Sequence, residues 1–166
     1  MSTLPAILVN AAQRLVELAA ERGVSLATAE SCTGGLVAAS ITEVAGSSAV
    51  LERGFVTYSN AAKAESLAVP VALIAQHGAV SEQVARAMAE GALFNSHADI
   101  AVSITGIAGP GGGSGEKPVG LVWFGLARRG EATRSERHVF AHLDRHGVRE
   151  AAALEALRLL TDAATA

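Results

Sequence analysis

The run Asp99 to Thr105 constrains this chain more than any other stretch, because Ile100, Val102 and Ile104 stand in it with almost no polar interruption. A strand this apolar has to be covered on both faces, as in a sheet held between two layers of helices. The rest of the sequence supplies the helices. Leu4, Leu8, Ala11, Leu15 and Leu18 recur at three and four residues, with Arg14, Glu17 and Glu21 between them, which predicts an amphipathic helix ended by Gly23. A second helix is predicted from Gly34 to Val44, stopped by Gly46. Ser59-Asn60 opens a short one that carries Lys63 and ends near Val69-Pro70, and Val71 to Gln76 reads as a helical turn closed by His77-Gly78. Ser81-Glu82-Gln83-Val84 opens a long helix with Val84, Met88, Gly91 and Ala92 on one face, and Asp144 to about Ala163 forms the last. Strands are predicted at Ser25 to Ala29 and Val50 to Tyr58. Val119 to Arg128 and Ala132 to Phe140 read as a hairpin turning at Arg129-Gly130-Glu131. The expectation is a three-layer α/β/α sandwich around a mostly parallel mixed sheet, in one domain over residues 1–166.

Half the residues are hydrophobic but only 4% are aromatic, so Ala, Val and Leu have to build the core, and small side chains let helices approach a sheet closely. The formal charge of -3 argues against a broad nucleic-acid surface, which needs a basic face, though not against a local basic pocket for one phosphate. Cys32 is the only cysteine and allows no internal disulfide, which fits a reducing compartment. No basic segment followed by an apolar run opens the sequence, and no stretch reaches the ~20 apolar residues of a membrane span. A cytoplasmic protein without signal peptide or membrane segment is expected.

Chemistry concentrates in three places. Ala27-Thr28-Ala29-Glu30-Ser31-Cys32-Thr33-Gly34-Gly35 joins a short strand to a helix, where free N–H groups and the positive helix end converge. A serine there suits a nucleophile or an anion contact; an ordinary N-cap is the plainer alternative. Gly34 and Gly35 cost helix propensity, a cost more readily accepted where a ligand approaches the backbone. The 13-residue loop Gly106 to Pro118 follows the carboxyl end of the apolar strand, where open α/β sheets place ligands. It is neither a Walker loop, since Glu116 separates Gly115 from Lys117, nor a GxGxxG turn, so it reads as a ligand wall or a flexible surface loop. Lys63 sits near a helix N-terminus. An unperturbed lysine is less than about 0.1% neutral at pH 7, but burial and the helix end would both lower its pKa and make it a usable general base. No SxxK spacing links Ser31 to Lys63, so any dyad has to form through the fold.

Other candidates are weaker. Tyr58, the only tyrosine, could steady a serine or lysine with its hydroxyl, or simply pack. Cys32 is a rival nucleophile if the helix end lowers its pKa, and a small buried apolar residue otherwise. Arg145 and Arg149, four apart, could face a phosphate or form a solvated helix face with Asp144 and Glu150. His138, His142 and His146 are spaced for a metal face on one helix, but the β-rich residues around Val139-Phe140 put His138 in a strand, and metal binding is not expected.

Several motifs then occur in order: Thr28 to Gly35, Gly46-Ser-Ser48, Val56-Thr-Tyr58-Ser-Asn60-Ala-Ala-Lys63, Gly78 to Glu82, and Thr105 to Gly113 with Lys117-Pro-Val-Gly120. Together they resemble the carboxy-terminal domain of competence/damage-inducible protein A, whose stand-alone form is similar to the nicotinamide-nucleotide amidohydrolases. The resemblance runs from about Leu4 to Leu160 and departs at Leu143, which stands where a glycine is common before Asp144-Arg145. It implies hydrolysis of nicotinamide mononucleotide to nicotinate mononucleotide and ammonia, in pyridine nucleotide salvage, with no cofactor and no metal. Residue by residue, it implies Ser31 as nucleophile, Lys63 as general base and Tyr58 as an assisting hydroxyl. The matching motifs make Glu30, Cys32, Thr33, Gly34, Gly35, Ser48 and Asn60 the expected substrate-binding residues, together with Thr105, Gly106, Gly109, Gly111 and Arg145. The expected partners are a small pyridine nucleotide and further copies of the chain, with no membrane and no nucleic acid. The rival class is a non-catalytic nucleotide-binding module, or a competence- and DNA-damage-associated regulatory one.

Overall fold

The computed structural model describes residues 2–166. In chain order the elements are α1 (Ala6–Arg22), β1 (Leu26–Glu30), α2 (Leu36–Thr42), a short 3-10 turn (Ser47–Ala49), β2 (Leu51–Val56), α3 (Asn60–Leu67), α4 (Val71–His77), α5 (Glu82–Phe94), β3 (Ile100–Gly106), β4 (Leu121–Arg128), β5 (Arg134–Val139) and α6 (Arg145–Thr165). The strands form one sheet in the order β2-β1-β3-β4-β5. β1 pairs in parallel with both β2 and β3, while β4 runs antiparallel to β3 and β5, so β4 alone opposes the other four strands. No helix among the described residues is long and apolar enough to cross a membrane.

β3 is buried along almost its whole length, and its two faces differ in size. Ile100, Val102 and Ile104 enter the larger core beneath α1, α2 and α6, with Leu8, Leu15, Phe124 and Leu157. Ala101, Ser103 and Thr105 alternate onto the other face, over which α5 lies. Small residues there let α5 come so close that its backbone bonds to the strand. Ser103 Oγ donates to the Ala85 carbonyl and accepts from the Gly125 N–H at 3.0 Å, and Thr105 Oγ1 donates to the Ala79 carbonyl at 2.8 Å. The low aromatic content thus becomes closeness between layers.

Two sequence expectations shift. The second helix starts at Leu36, not near Gly34, because Gly34 and Gly35 both take left-handed φ (60° and 98°) and form the turn before it. The glycines therefore cost no helix propensity; they supply backbone geometry closed to most side chains. Leu4 lies outside α1, whose N-cap is Pro5.

The connections set the site's location. β1 leads to α2 on one face of the sheet and β2 leads to α3 on the other, so a crevice opens outside the carboxyl ends of adjacent parallel strands.

Gly91 tests the close packing. A Cβ there would stand 1.9 Å from the Leu67 carbonyl oxygen at the end of α3. Helix propensity alone favours alanine over glycine by about 1 kcal/mol, whereas overpacking against backbone costs about 1–3 kcal/mol. Gly91→Ala is therefore expected to lower stability in urea unfolding; an increase would show that α3 and α5 are not packed this closely.

Candidate active site

Ser31 stands one residue beyond β1, held on both sides by neighbouring strands. Its N–H donates to the Ile104 carbonyl of β3 at 3.0 Å, and the preceding carbonyl, of Glu30, accepts from Thr57 N–H beyond β2 at 2.9 Å. Lys63 comes from the second turn of α3, whose N-cap Ser59 accepts from the Ala62 N–H. Its side chain runs back beneath the helix into the crevice and is only 1% exposed. There Nζ lies 3.0 Å from Ser31 Oγ, 2.9 Å from the Thr57 carbonyl oxygen and 3.2 Å from the Tyr58 carbonyl oxygen.

These three neighbours could each accept from an ammonium, and they set how the Ser31 contact would work in a neutral amine. The two carbonyls can only accept, so each requires an N–H from the amine. A neutral amine has two N–H bonds and one lone pair. Once both N–H bonds go to Thr57 and Tyr58, the lone pair is left for Ser31, whose hydroxyl then donates to it. Burial favours that form by pushing the lysine below its ordinary pKa. Cys32 opposes this only as a thiolate, and burial raises its thiol to about 11, so at neutral pH the sulfur is uncharged. The same shift counts against Cys32 as a rival nucleophile, since the thiolate is the reactive form. No carboxylate among the described residues forms an ion pair with Lys63.

The cavity beside the dyad has a volume of about 290 Å³. Of the residues expected to be catalytic or substrate-binding, Ser31, Cys32, Tyr58, Asn60, Lys63, Thr105, Gly106, Gly109, Gly111 and Arg145 line it. The first half of the glycine loop contributes to its wall, while Pro110 to Glu116 are exposed. Ala79, Val80, Ala108 and Gly112 also line it; these residues carry no distinctive chemistry by which a sequence could single them out.

The other expected binding residues are elsewhere. Glu30 is fully buried beneath α2, where its carboxylate accepts from the N–H groups of Val37 (2.9 Å) and Ala38 (3.1 Å). α2 has a glycine N-cap without a side chain, and Glu30 caps it from the adjacent strand instead. Thr33 is fully buried, and Gly34 and Gly35 shape the turn behind Ser31 rather than the cavity wall. Ser48 is exposed on the turn before β2, at the amino ends of the parallel strands and thus across the sheet from the cavity. The Tyr58 hydroxyl meets neither Ser31 nor Lys63. It accepts from Arg145 Nη2 at 3.1 Å, and the ring is 62% exposed at the rim; what holds the lysine is the Tyr58 main-chain carbonyl.

The two arginines also divide. Arg145 donates through Nη1 to the Gly109 carbonyl at 2.7 Å and lines the cavity, despite Leu143 before Asp144. Arg149 instead donates to the Cys32 and Thr33 carbonyls, behind the nucleophile. The three histidines fall on β5, the turn after it and α6, so they share no helical face. His138 is paired with Glu136 and Glu155, and Arg158 also pairs with both carboxylates.

Lys63 makes stability depend on pH. Between its lowered folded pKa and the ordinary value near 10.5, the unfolded chain binds a proton that the folded chain does not. Stability contributed at this position should therefore rise with pH across that window, by up to about 1.4 kcal/mol per pH unit. Urea unfolding of the wild type and Lys63→Met between pH 7 and 10.5 checks this. The difference should move in the wild type's favour as pH rises, and a pH-independent difference would contradict a neutral buried amine.

Comparison with known proteins places this geometry in a lineage. The profile of the CinA C-terminal domain matches residues 9–164. The nicotinamide-nucleotide amidohydrolase PncC of Escherichia coli is 59% identical over 140 residues, covering 84% of this chain and 84% of that protein. A putative competence-damage inducible protein of Symbiobacterium thermophilum is 56% identical over 155 residues, which are 89% of this chain but 36% of that protein. A CinA-like protein of Akkermansia muciniphila is likewise matched over only 34% of its length. The crystal structure of competence/damage inducible protein CihA from Agrobacterium tumefaciens is 45% identical and superposes over the whole of both chains with a TM-score of 0.96. Sequence profile and three-dimensional likeness agree along nearly the full length, and the chain belongs to the CinA C-terminal domain family.

Proposed function

We propose that this protein is a nicotinamide-nucleotide amidase, hydrolysing the carboxamide of nicotinamide mononucleotide to nicotinate mononucleotide and ammonia. One observation carries the reading: Ser31 Oγ lies 3.0 Å from the Nζ of a lysine that is 1% exposed, in a cavity at the carboxyl ends of parallel strands. The amidohydrolase name of the Escherichia coli relative supports the substrate class. A neutral lysine also suits a substrate whose pyridinium ring is positively charged.

In this mechanism Lys63 Nζ takes the hydroxyl proton as Ser31 Oγ bonds to the carboxamide carbon, and the carbonyl electrons move onto oxygen. The N–H groups of Cys32, which lines the cavity, and of the adjacent Thr33 are the candidate oxyanion hole. Neither has an acceptor among the described residues, whereas the Gly34 N–H already donates to the Ser31 carbonyl at 3.0 Å. Collapse of the tetrahedral intermediate breaks the C–N bond, and the nitrogen leaves as ammonia with the proton held on Lys63. Water then gives a proton to Lys63 and bonds to the acyl carbon. Ser31 departs with that proton, leaving the carboxylic acid. At the rim, the Arg145 guanidinium spends two donors on neutral oxygens, and a phosphate would be a stronger acceptor for the same group.

The test is ammonia release from nicotinamide mononucleotide, nicotinamide riboside and nicotinamide. Ser31→Ala and Lys63→Ala should each lower kcat/KM on the order of 10²–10⁴-fold with the fold retained. Near-normal turnover in either variant would remove the dyad, and tight nucleotide binding without ammonia would make the chain a binding module.

The base must be neutral to act. Wild-type kcat/KM should therefore rise with pH and level off at an inflection below the ordinary lysine pKa of 10.5. Residual activity of Lys63→Ala should lack that inflection. The same inflection in both proteins would assign the base to another group.

A further inference from the structure

Arg149 reaches the backbone of the nucleophile's turn, and the mechanism above makes no use of it. Its Nε donates to the Cys32 carbonyl and its Nη2 to the Thr33 carbonyl, each at 3.1 Å. These partners are 117 and 116 residues away along the chain, so the contact depends on the packing of α6 beside α2.

The two carbonyls belong to successive peptide units. In a trans peptide the carbonyl and the following N–H share a plane and point in opposite directions. Holding the Cys32 oxygen thus fixes the direction of the Thr33 N–H, while the Gly34 N–H, in the plane of the Thr33 oxygen, is also held by the Ser31 carbonyl at 3.0 Å. The next residues, Gly34 and Gly35, have φ of 60° and 98° and no side chains to stiffen the turn. The turn's own bonds run from the Gly34 N–H to the Ser31 carbonyl and from the Leu36 N–H to the Thr33 carbonyl; one planar guanidinium adds rigidity from outside, with a fork that matches two acceptors at once and gives the Cys32 carbonyl its partner. Arg149 does not line the Ser31 cavity; it borders an adjoining hollow with Pro110, Val119 and His146, which shares Ala108 and Arg145 with that cavity.

We infer that Arg149 is a positioning residue: its guanidinium holds the Cys32 and Thr33 carbonyls, and with them the turn after Ser31, so that the Cys32 and Thr33 N–H groups meet the developing oxyanion, without binding substrate. This rests on the amidase reading. The role predicts a loss in kcat rather than in KM, because an oxyanion exists only in the transition state and intermediate.

Steady-state ammonia release by Arg149→Ala and Arg149→Lys tests it, with thermal unfolding as the fold control. Arg149→Ala should lose kcat by on the order of 10- to 100-fold, with KM changed by less than about threefold. Arg149→Lys, which offers a compact ammonium in place of the fork, should fall between and keeps the test open if the alanine variant does not fold. Added guanidinium ion should partly restore Arg149→Ala, and the pH inflection should not move, because Arg149 does not touch Lys63. Unchanged kcat, a raised KM with kcat retained, or a displaced inflection would each overturn the inference. If the wild type releases no ammonia, the amidase reading has failed, and the rate of Ser31 labelling by a fluorophosphonate then reads the turn directly. Labelling at least about tenfold slower in Arg149→Ala supports the positioning role. Equal rates, or no labelling of the wild type, overturn it.

Discussion

A primary amine shut away from water with no carboxylate beside it is the constraint from which the site follows. In water Lys63 would carry a proton; between the Thr57 and Tyr58 carbonyls and the Ser31 hydroxyl, burial disfavours the charge. In the proposed mechanism the carbonyls claim both N–H bonds of the neutral amine and turn its lone pair toward the serine. A carboxylate in either place would have held the proton on the nitrogen. The absence of an ion pair among the described residues, which would be a weakness in a structural lysine, suits this one to the general-base role proposed for it.

The surrounding fold places three backbone segments around that amine. β1 delivers Ser31, the end of β2 delivers the two carbonyls, and the end of β3 delivers the glycine-rich wall. These strands are adjacent and parallel, so their carboxyl ends lie side by side. The start of α6 then grips two walls at once. Arg145 reaches the Gly109 carbonyl of the loop, and Arg149, one turn further on, reaches the carbonyls behind Ser31. A single helix end thus couples the glycine-rich loop to the nucleophile's turn.

Buried polar groups divide between chemistry and architecture. Glu30, Ser103 and Thr105 are buried like Lys63, yet each closes a specific gap in the backbone. Glu30 caps α2 from the neighbouring strand, while Ser103 and Thr105 tie β3 to carbonyls of the helical layer and its leading loop. Such groups are stable because their partners are complete. Lys63 differs in that one of its contacts is with a hydroxyl able to move its proton.

Periodicity along the chain was enough to reveal the helices, the apolar β3 and the late hairpin, because alternation and three-to-four spacing are local consequences of burial. Motif chemistry picked out Ser31, Lys63 and the glycine-rich loop, and all meet at one cavity. Glu30 and Ser48, expected at the substrate, do not line the cavity, since motif membership carries no information about which end or layer of the sheet a residue occupies. Sequence reasoning also gave Tyr58 a role through its hydroxyl, when the contact with Lys63 is made by a main-chain oxygen that every residue possesses. Amino-acid order alone determined which groups could do the chemistry and the elements that bear them. Only the tertiary structure decided that a serine and a lysine 32 positions apart share a hydrogen bond, and that Arg145 and Arg149 serve different walls, because distance, direction and desolvation arise when separate strands and helices pack together.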